Sequence, residues 1–129
     1  MAKERLRSPL GRAIGLGSAK EGVDHWWAQR VSAVALIVLG VWFVASLVAL
    51  AGAEHARVVT WLHGPLAAIL TILLIIAVFY HAALGLQVVI EDYVHSEWVK
   101  IPSLVVMRLL CLALGVAGIF AVLRIAVGG

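Results

Sequence analysis

The chain has 129 residues, of which 64% are hydrophobic and 13% charged, and its mean hydropathy is +1.07. Soluble globular domains average about 45–50% apolar and about 25% charged residues, so this composition is that of a membrane protein. A helix needs roughly 20 apolar residues to cross a bilayer, and the length therefore allows three or four spans. These values argue against a self-contained soluble enzyme and a nucleic-acid-binding domain. Because Cys111 is the single cysteine, they also argue against a disulfide scaffold.

Residues 1–30 differ in composition from the rest, because they are rich in basic residues and glycine and contain no apolar run of the signal-peptide kind. We expect this segment to lie in the cytoplasm and to become ordered on assembly. A mitochondrial transit peptide is the alternative, but the acidic residues Glu4, Glu21 and Asp24 are unusual in one. The basic residues of the segment are Lys3, Arg5, Arg7, Arg12, Lys20 and Arg30.

The remaining residues, 31–129, predict an all-α membrane domain with three transmembrane helices. The first apolar stretch has no formal charge between Arg30 and Glu54. A short polar turn is expected over 54–64, and Pro65 suits the first turn of the helix that follows. An acidic connection then precedes the last apolar stretch. The predicted helices cover residues 31–53, 65–90 and 103–127.

The basic residues are distributed unequally between the two sides of these helices. Six precede the first helix, one lies in the first connection, two lie around the second connection and one lies near the end. The positive-inside rule therefore places the N-terminus in the cytoplasm, or in the matrix if the protein is mitochondrial, and the C-terminus outside. We expect a bacterial cell inner membrane, with the C-terminus in the periplasm, and a mitochondrial inner membrane is the less favoured interpretation. The second helix then runs from outside to inside.

The second predicted helix contains polar residues. Such residues are energetically costly within a membrane, and they therefore indicate a functional site. His81 lies deep in this helix, and Asp92 and Tyr93 lie at its inner end. At 100° and 1.5 Å per residue, His81 and Asp92 point within about 20° of each other and lie about 16 Å apart. Gly85 follows His81 by one turn and would leave room for a flat macrocycle held by the imidazole, as in haem ligation. Alternatively, Gly85 is a close helix-packing contact and His81 a hydrogen-bonded interior residue.

A second axial ligand is not apparent in this sequence. The first and third predicted helices contain no histidine, and His63 is about 27 Å from His81 along the same helix axis. If His81 binds haem, the other ligand is expected from another chain.

Two segments resemble a known family. The stretches DHWWAQRVSAV at 24–34 and HAALGLQVVIEDY at 81–93, with three helices and an inner N-terminus, are similar to the small hydrophobic membrane anchor of succinate dehydrogenase (respiratory complex II). GLGSAKEG at 15–22 looks like the bacterial and mitochondrial-type members. The resemblance covers essentially the whole chain, although the third helix matches only in kind. It implies that the three helices form half of a heterodimeric haem-binding bundle.

The resemblance implies a role for four residues. His81 matches the axial ligand of haem b, which is shared with a histidine of the companion cytochrome b subunit. Tyr93 matches the tyrosine that hydrogen-bonds a ubiquinone carbonyl, and Asp92 matches its acidic neighbour. Arg30 matches an arginine near the haem propionates and the quinone pocket. Without the resemblance, Tyr93 would be interpreted as an interfacial aromatic, Asp92 as a solvated charge and Arg30 as a positive-inside anchor.

The resemblance also implies partners and a function. The chain would anchor a flavoprotein subunit and an iron–sulfur subunit to the membrane and contribute to ubiquinone reduction in the respiratory chain and tricarboxylic acid cycle. It would be a subunit of a succinate:quinone oxidoreductase that is not catalytic by itself, in contact with membrane lipid and not with nucleic acid. The alternatives are a haem-free structural anchor and a small ion- or solute-conducting membrane protein. The second has little support, because the first helix offers only Ser32 and Ser46 as polar pore-lining groups.

Further polar residues have less specific interpretations. His25 and Trp26 are close enough to Arg30 to share an inner pocket with it, and the Ser32 hydroxyl is expected to bond a helix carbonyl. Gln87 faces away from His81 and is expected to pack against a neighbour. The long side chains of Arg108 and Arg124 are expected to reach the lipid headgroups.

Overall fold

The computed structural model describes residues 16–128, with side chains from Gly22 onward. Within this range the chain is built from helices and turns without a strand, which confirms the predicted all-α class. The basic residues at positions 3, 5, 7 and 12 lie outside the described residues. The helices are α1 (Leu16–Ala49), α2 (His55–His63), α3 (Pro65–Tyr93) and α4 (Glu97–Gly128).

Three of these helices are long and apolar enough to cross a membrane: α1 from Gly22 onward, α3 and α4. A helix of 29 residues, the length of α3, extends about 43 Å, which exceeds a hydrocarbon core of about 30 Å. The helices therefore continue past their uncharged centres into the headgroup layers. As a result Arg30 lies within α1, and Asp92 and Tyr93 form the last turn of α3 rather than a loop.

The segment predicted as a polar turn is instead the short helix α2, so that prediction was wrong. Its sequence, HARVVTWLH, places apolar side chains on one face, and this face packs on the larger helices. The indole of Trp61 stacks on that of Trp42 in α1, with ring centroids 5.8 Å apart and planes 23° apart. His63 Nδ1 lies 3.1 Å from the carbonyl oxygen of Ala126 in α4. The short helix thus connects the C-terminal end of α1 with the C-terminal end of α4.

The three spans form a row with α3 in the middle. The helix α3 packs against both α1 and α4, whereas the backbones of α1 and α4 do not approach each other within 8 Å in the described chain. Close contact between α3 and α4 depends on small residues. A Cβ added to Gly115 would lie 3.6 Å from Phe79, and one added to Gly118 would lie 3.4 Å from Ile75.

A row of three helices buries very little of its own surface. No described side chain is less than 2% exposed, and the buried residues are few and mostly small. Large apolar side chains along all three spans are exposed instead. The broad faces of the row are therefore available to lipid or to the helices of another chain. The buried residues are Ser32, Ala67, Ala68, Thr71, Ala77, Met107, Gly115 and Val122.

Candidate functional site

The imidazole of His81 is held by a hydrogen bond between two membrane-spanning helices. His81 lies in the middle of α3 and is half-buried. Its Nδ1 is 2.8 Å from Oγ of Ser32 in α1, and Ser32 also donates a 3.1 Å bond to the carbonyl oxygen of Gln29. The expectation that Ser32 bonds a helix carbonyl is confirmed, but no sequence pattern indicates its second contact.

These two contacts favour one tautomer of His81. With the hydroxyl proton of Ser32 donated to the carbonyl oxygen of Gln29, the Ser32 oxygen accepts from the imidazole and Nδ1 carries the ring proton. The other ring nitrogen, Nε2, keeps an unshared electron pair, which is the form that binds a metal ion.

The space beside His81 is open at Gly85. A Cβ built on Gly85 meets no atom within 4 Å, in contrast to Gly115, where one would contact Phe79. Within the described chain Gly85 is therefore not a helix-packing contact. The surface one turn from the imidazole can accept a flat group or a helix from another chain.

One face of α3 continues from His81 to the C-terminal end of the helix. With 100° per residue, Gly85, Val88 and Asp92 all point within about 40° of His81, and α3 is helical over this whole range. Val88 lies about 10 Å from His81 along the axis and Asp92 about 16 Å. The helix α1 approaches this face at two points: Ser32 is hydrogen-bonded to His81, and Val88 lines a cleft together with residues at the N-terminal end of α1.

A cleft of about 290 Å³ lies between α1 and α3 at the level of Val88. Arg30 and Trp26 line it, and the guanidinium carbon of Arg30 lies 5.3 Å from the centroid of the Trp26 ring. His25 lines the same cleft, and its Nε2 is buried with no hydrogen-bond partner among the described residues. The prediction that His25 and Trp26 share a pocket with Arg30 is confirmed. A cation beside an unpaired imidazole nitrogen suits an anionic or hydrogen-bonding ligand.

Asp92 and Tyr93 lie at the C-terminal end of α3, beyond this cleft. Tyr93 is 79% exposed, and Asp92 is exposed as well. Neither side chain has a hydrogen-bond partner among residues 22–128, and neither lines the cleft around Arg30. Of the four predicted site residues, Arg30 and His81 thus lie at the interface between α1 and α3. Asp92 and Tyr93 lie beyond this interface, and their side chains are exposed.

A second set of polar side chains joins α3 to α4. The Arg108 guanidinium donates a 2.8 Å bond to Oε1 of Gln87, and Nε2 of Gln87 donates a 3.0 Å bond to Oε1 of Glu91. The prediction that Gln87 packs against a neighbour is confirmed. Arg108 was expected to extend to the headgroups, yet its guanidinium is bonded to a polar side chain on the next helix.

The described residues contain no group of three or more His, Cys, Asp or Glu side chains placed to hold a metal ion. The donor set around His81 is therefore a single imidazole, which suits a metal whose other ligands come from elsewhere, as in a porphyrin.

These features define a helical membrane protein with one hydrogen-bonded histidine between two spans and with polar residues at the C-terminal end of α3. The chain belongs to the succinate dehydrogenase/fumarate reductase transmembrane subunit family, whose model matches residues 4–122. This confirms the family predicted from the motifs at 24–34 and 81–93.

Curated relatives agree with this placement. The chain is 32% identical over 117 residues to the succinate dehydrogenase hydrophobic membrane anchor subunit of Rickettsia bellii (strain RML369-C), covering 91% of this chain and 94% of that protein. It is 37% identical over 89 residues to the protein of the same name from Paracoccus denitrificans, covering 69% of each. The succinate dehydrogenase membrane anchor subunit of Reclinomonas americana is 27% identical over 99 residues, covering 72% of this chain and 80% of that protein. No solved structure gives a significant match.

Proposed function

We propose that this chain is the membrane-anchor subunit of a bacterial succinate dehydrogenase that shares a haem b with a companion cytochrome b subunit and forms part of the ubiquinone-reduction site. The observation that supports this most strongly is the state of His81. It is a histidine within a membrane span, its Nδ1 is bonded to Ser32, and it lies one turn from the open surface of Gly85. The names of the relatives support the assignment as an anchor subunit.

The residues on this face fit a haem. His81 would ligate iron through Nε2, and the open side of Gly85 would admit the edge of the macrocycle. Arg30 and the unpaired Nε2 of His25 would hold the propionate carboxylates in the cleft below. When bound, haem b supplies a one-electron carrier within the membrane.

The second axial ligand would come from the cytochrome b subunit. Apart from His25 near the N-terminal end of α1, the three spans contain no other histidine than His81, so this chain offers one imidazole in the middle of a span. The wide exposed faces of the three-helix row are those of half a bundle, which a second set of helices would complete.

The quinone site would lie at the inner end of α3. Reduction of ubiquinone to ubiquinol consumes two electrons and two protons, so the site needs a donor to hold a carbonyl oxygen and a route for protons. The exposed Tyr93 hydroxyl would donate a hydrogen bond to that oxygen. Asp92, exposed beside it, would keep water close to the site and pass protons to it.

The flavoprotein and iron–sulfur subunits would dock on the same side, which the distribution of basic residues places in the cytoplasm. Electrons from succinate would then reach the quinone and the haem through centres in those subunits. Exposed aromatic side chains are concentrated at this end: Trp27 is 57% exposed, Tyr93 is 79% exposed and Trp98 is 91% exposed. These side chains suit a contact with headgroups or with a docked partner.

One alternative is a haem-free anchor, in which the Ser32–His81 bond serves only to join two helices. The observation in its favour is the bond itself. A conducting protein has no such support. The hydroxyls of Ser32 and Ser46 both donate to carbonyl groups of their own helix, and no polar stripe crosses the described part of the row.

The experiment that separates these functions is the purification of the assembly through this chain, carrying either native His81 or His81→Ala. Native protein is expected to bring with it a flavoprotein, an iron–sulfur subunit and a cytochrome subunit, and to show a b-type band in the reduced-minus-oxidised spectrum. In His81→Ala that band is expected to be lost or altered. An unaltered band would refute ligation by His81. His55→Ala is the control, because His55 is exposed at the start of α2 and should leave the spectrum unchanged.

A further inference from the structure

We infer that Ser32 is the positioning residue of the haem-ligating histidine: its hydroxyl holds His81 in the Nδ1–H tautomer and sets the donor strength of Nε2. This inference rests on the proposed function of His81 and assigns a role to a residue that the motifs did not single out as part of the site.

The first support is the geometry of the contact. Ser32 is 5% exposed and lies on the face of α1 that meets α3. Its oxygen is 2.8 Å from Nδ1 of His81 and 3.1 Å from the carbonyl oxygen of Gln29. Both distances are those of good hydrogen bonds. The chain of donors therefore runs from the imidazole through the hydroxyl to a backbone carbonyl.

The second support is that Ser32 behaves unlike the other hydrogen-bonded hydroxyls of the described chain. Each of those donates to the carbonyl four residues earlier and makes no hydrogen bond to another helix: Ser46, Thr60, Thr71 and Ser103. Ser32 donates to the carbonyl three residues earlier instead. A hydroxyl that donates its proton keeps two lone pairs, and among these hydroxyls only that of Ser32 lies within hydrogen-bond distance of a side chain on another helix.

The chemical consequence follows from how histidine ligates metals. A ligating imidazole usually donates its second N–H to an acceptor, which fixes the tautomer and the ring orientation and makes the ligating nitrogen more basic. Here the acceptor is a hydroxyl that is itself polarised by donating to Gln29. A more basic ligand favours ferric over ferrous iron, so this bond is expected to lower the reduction potential of the haem.

The test uses the complete purified assembly with Ser32→Ala, Ser32→Thr and Ser46→Ala. The readouts are haem per flavin, the electron paramagnetic resonance spectrum of the ferric haem and a redox titration of the b-type band. Ser32→Ala is expected to raise the midpoint potential and shift the resonance of the ferric haem, because His81 loses its acceptor. Ser32→Thr keeps the hydroxyl and should restore values close to those of the native protein.

Ser46→Ala is the matched control. It removes a hydroxyl from the same helix, bonded at 2.8 Å to the carbonyl oxygen of Trp42, without touching His81. A merely structural role for Ser32 would lower the stability of Ser32→Ala but leave its potential and resonance unchanged, and that result would overturn the inference.

If Ser32→Ala does not assemble, Ser32→Cys replaces it, because a thiol is a weak acceptor of similar size. A raised potential in Ser32→Cys supports the inference, and an unchanged one overturns it. Failure of the proposed function is seen separately, since it requires an unaltered spectrum in His81→Ala. An altered His81→Ala spectrum with a native Ser32→Ala spectrum would reject only the role of Ser32.

Discussion

The guanidinium of Arg108 is joined to the side-chain carbonyl of Gln87 by a 2.8 Å hydrogen bond that links α4 to α3. Arg108 stands twelfth in α4, next to the longest uncharged stretch of that helix, where a charged side chain costs a few kcal/mol unless a polar group satisfies it. Gln87 donates in turn to Glu91, so one amide connects a cation and an anion. The bond between Gln87 and Arg108 therefore helps to pack α4 against α3 and gives the Arg108 guanidinium a polar partner.

The first prediction concerns this link. Gln87→Leu removes the acceptor of Arg108 and is expected to lower the stability of the assembly by about 1 kcal/mol, as interhelical hydrogen bonds in membranes do. Thermal unfolding in detergent measures the loss. A double-mutant cycle with Arg108→Leu should give a coupling energy of similar size, and strictly additive effects would show that the two side chains do not stabilise each other.

Arg124→Leu is the control for charge removal from α4. Arg124 has no hydrogen-bond partner among the described residues, so its removal should not couple to Gln87→Leu.

The three spans could be predicted from the sequence because the first two predicted helices, 31–53 and 65–90, are each an uncharged run of more than 20 residues, about the length that crosses a bilayer. In α4 the uncharged run between Arg108 and Arg124 has 15 residues, and it reaches that length when the flanking residues are included. The short helix α2 could not, because its nine residues gain their helical structure by packing Trp61 on Trp42, a contact made across the fold. The helix ends were equally hard to predict. Charges such as Arg30 mark the edge of the hydrocarbon core, whereas the hydrogen-bonded helix continues through the headgroup layer.

The features of the site also divide into those that the sequence could predict and those that depend on packing between helices. The common face of His81 and Asp92 follows from the geometry of a single helix and could be calculated in advance. The bond between Ser32 and His81 joins residues 49 positions apart, and it depends on the height and rotation of α1 against α3. No periodicity within either helix specifies those two quantities. The open surface at Gly85 likewise depends on where α1 and α4 pack against α3, which the sequence of α3 does not specify.

The second prediction tests that openness. Gly85→Leu meets no atom of its own chain at the Cβ position, so the three-helix row should still fold, but the side chain would occupy the place of the macrocycle. We expect the haem content of the purified assembly to fall severalfold, as measured by haem per flavin. Gly40→Leu is the control, because Gly40 is also open but lies on α1 away from His81. A full haem content in Gly85→Leu would contradict the proposed position of the haem.

The third prediction concerns the Tyr93 hydroxyl. Tyr93→Phe removes one oxygen from a side chain that is 79% exposed, so assembly and haem content should not change. Electron transfer from succinate to ubiquinone is expected to fall by at least about tenfold, because a donor to the carbonyl is worth about 1.5 kcal/mol or more when charge develops on it. Transfer of electrons to a soluble dye that accepts directly from the flavoprotein should continue at the native rate.

Tyr80→Phe is the matched control for Tyr93→Phe. Tyr80 is on the same helix and 51% exposed, it lines grooves on both sides of α3, and it lies about 20 Å from Tyr93 along the helix axis. Equal losses of quinone reduction in the two variants would point to a general effect of removing a phenol and would argue against a specific role for Tyr93.

The fourth prediction fixes the orientation of the row in the membrane. After Cys111→Ser removes the single cysteine, His55→Cys and His95→Cys each introduce one exposed thiol. The excess of basic residues in residues 1–30 predicts that His95 lies in the cytoplasm and His55 in the periplasm. A membrane-impermeant maleimide should therefore label His55→Cys in intact spheroplasts and label His95→Cys only in inverted vesicles. Because α3 crosses the membrane once between these positions, the reverse pattern would place Tyr93 in the periplasm and separate it from any cytoplasmic iron–sulfur subunit.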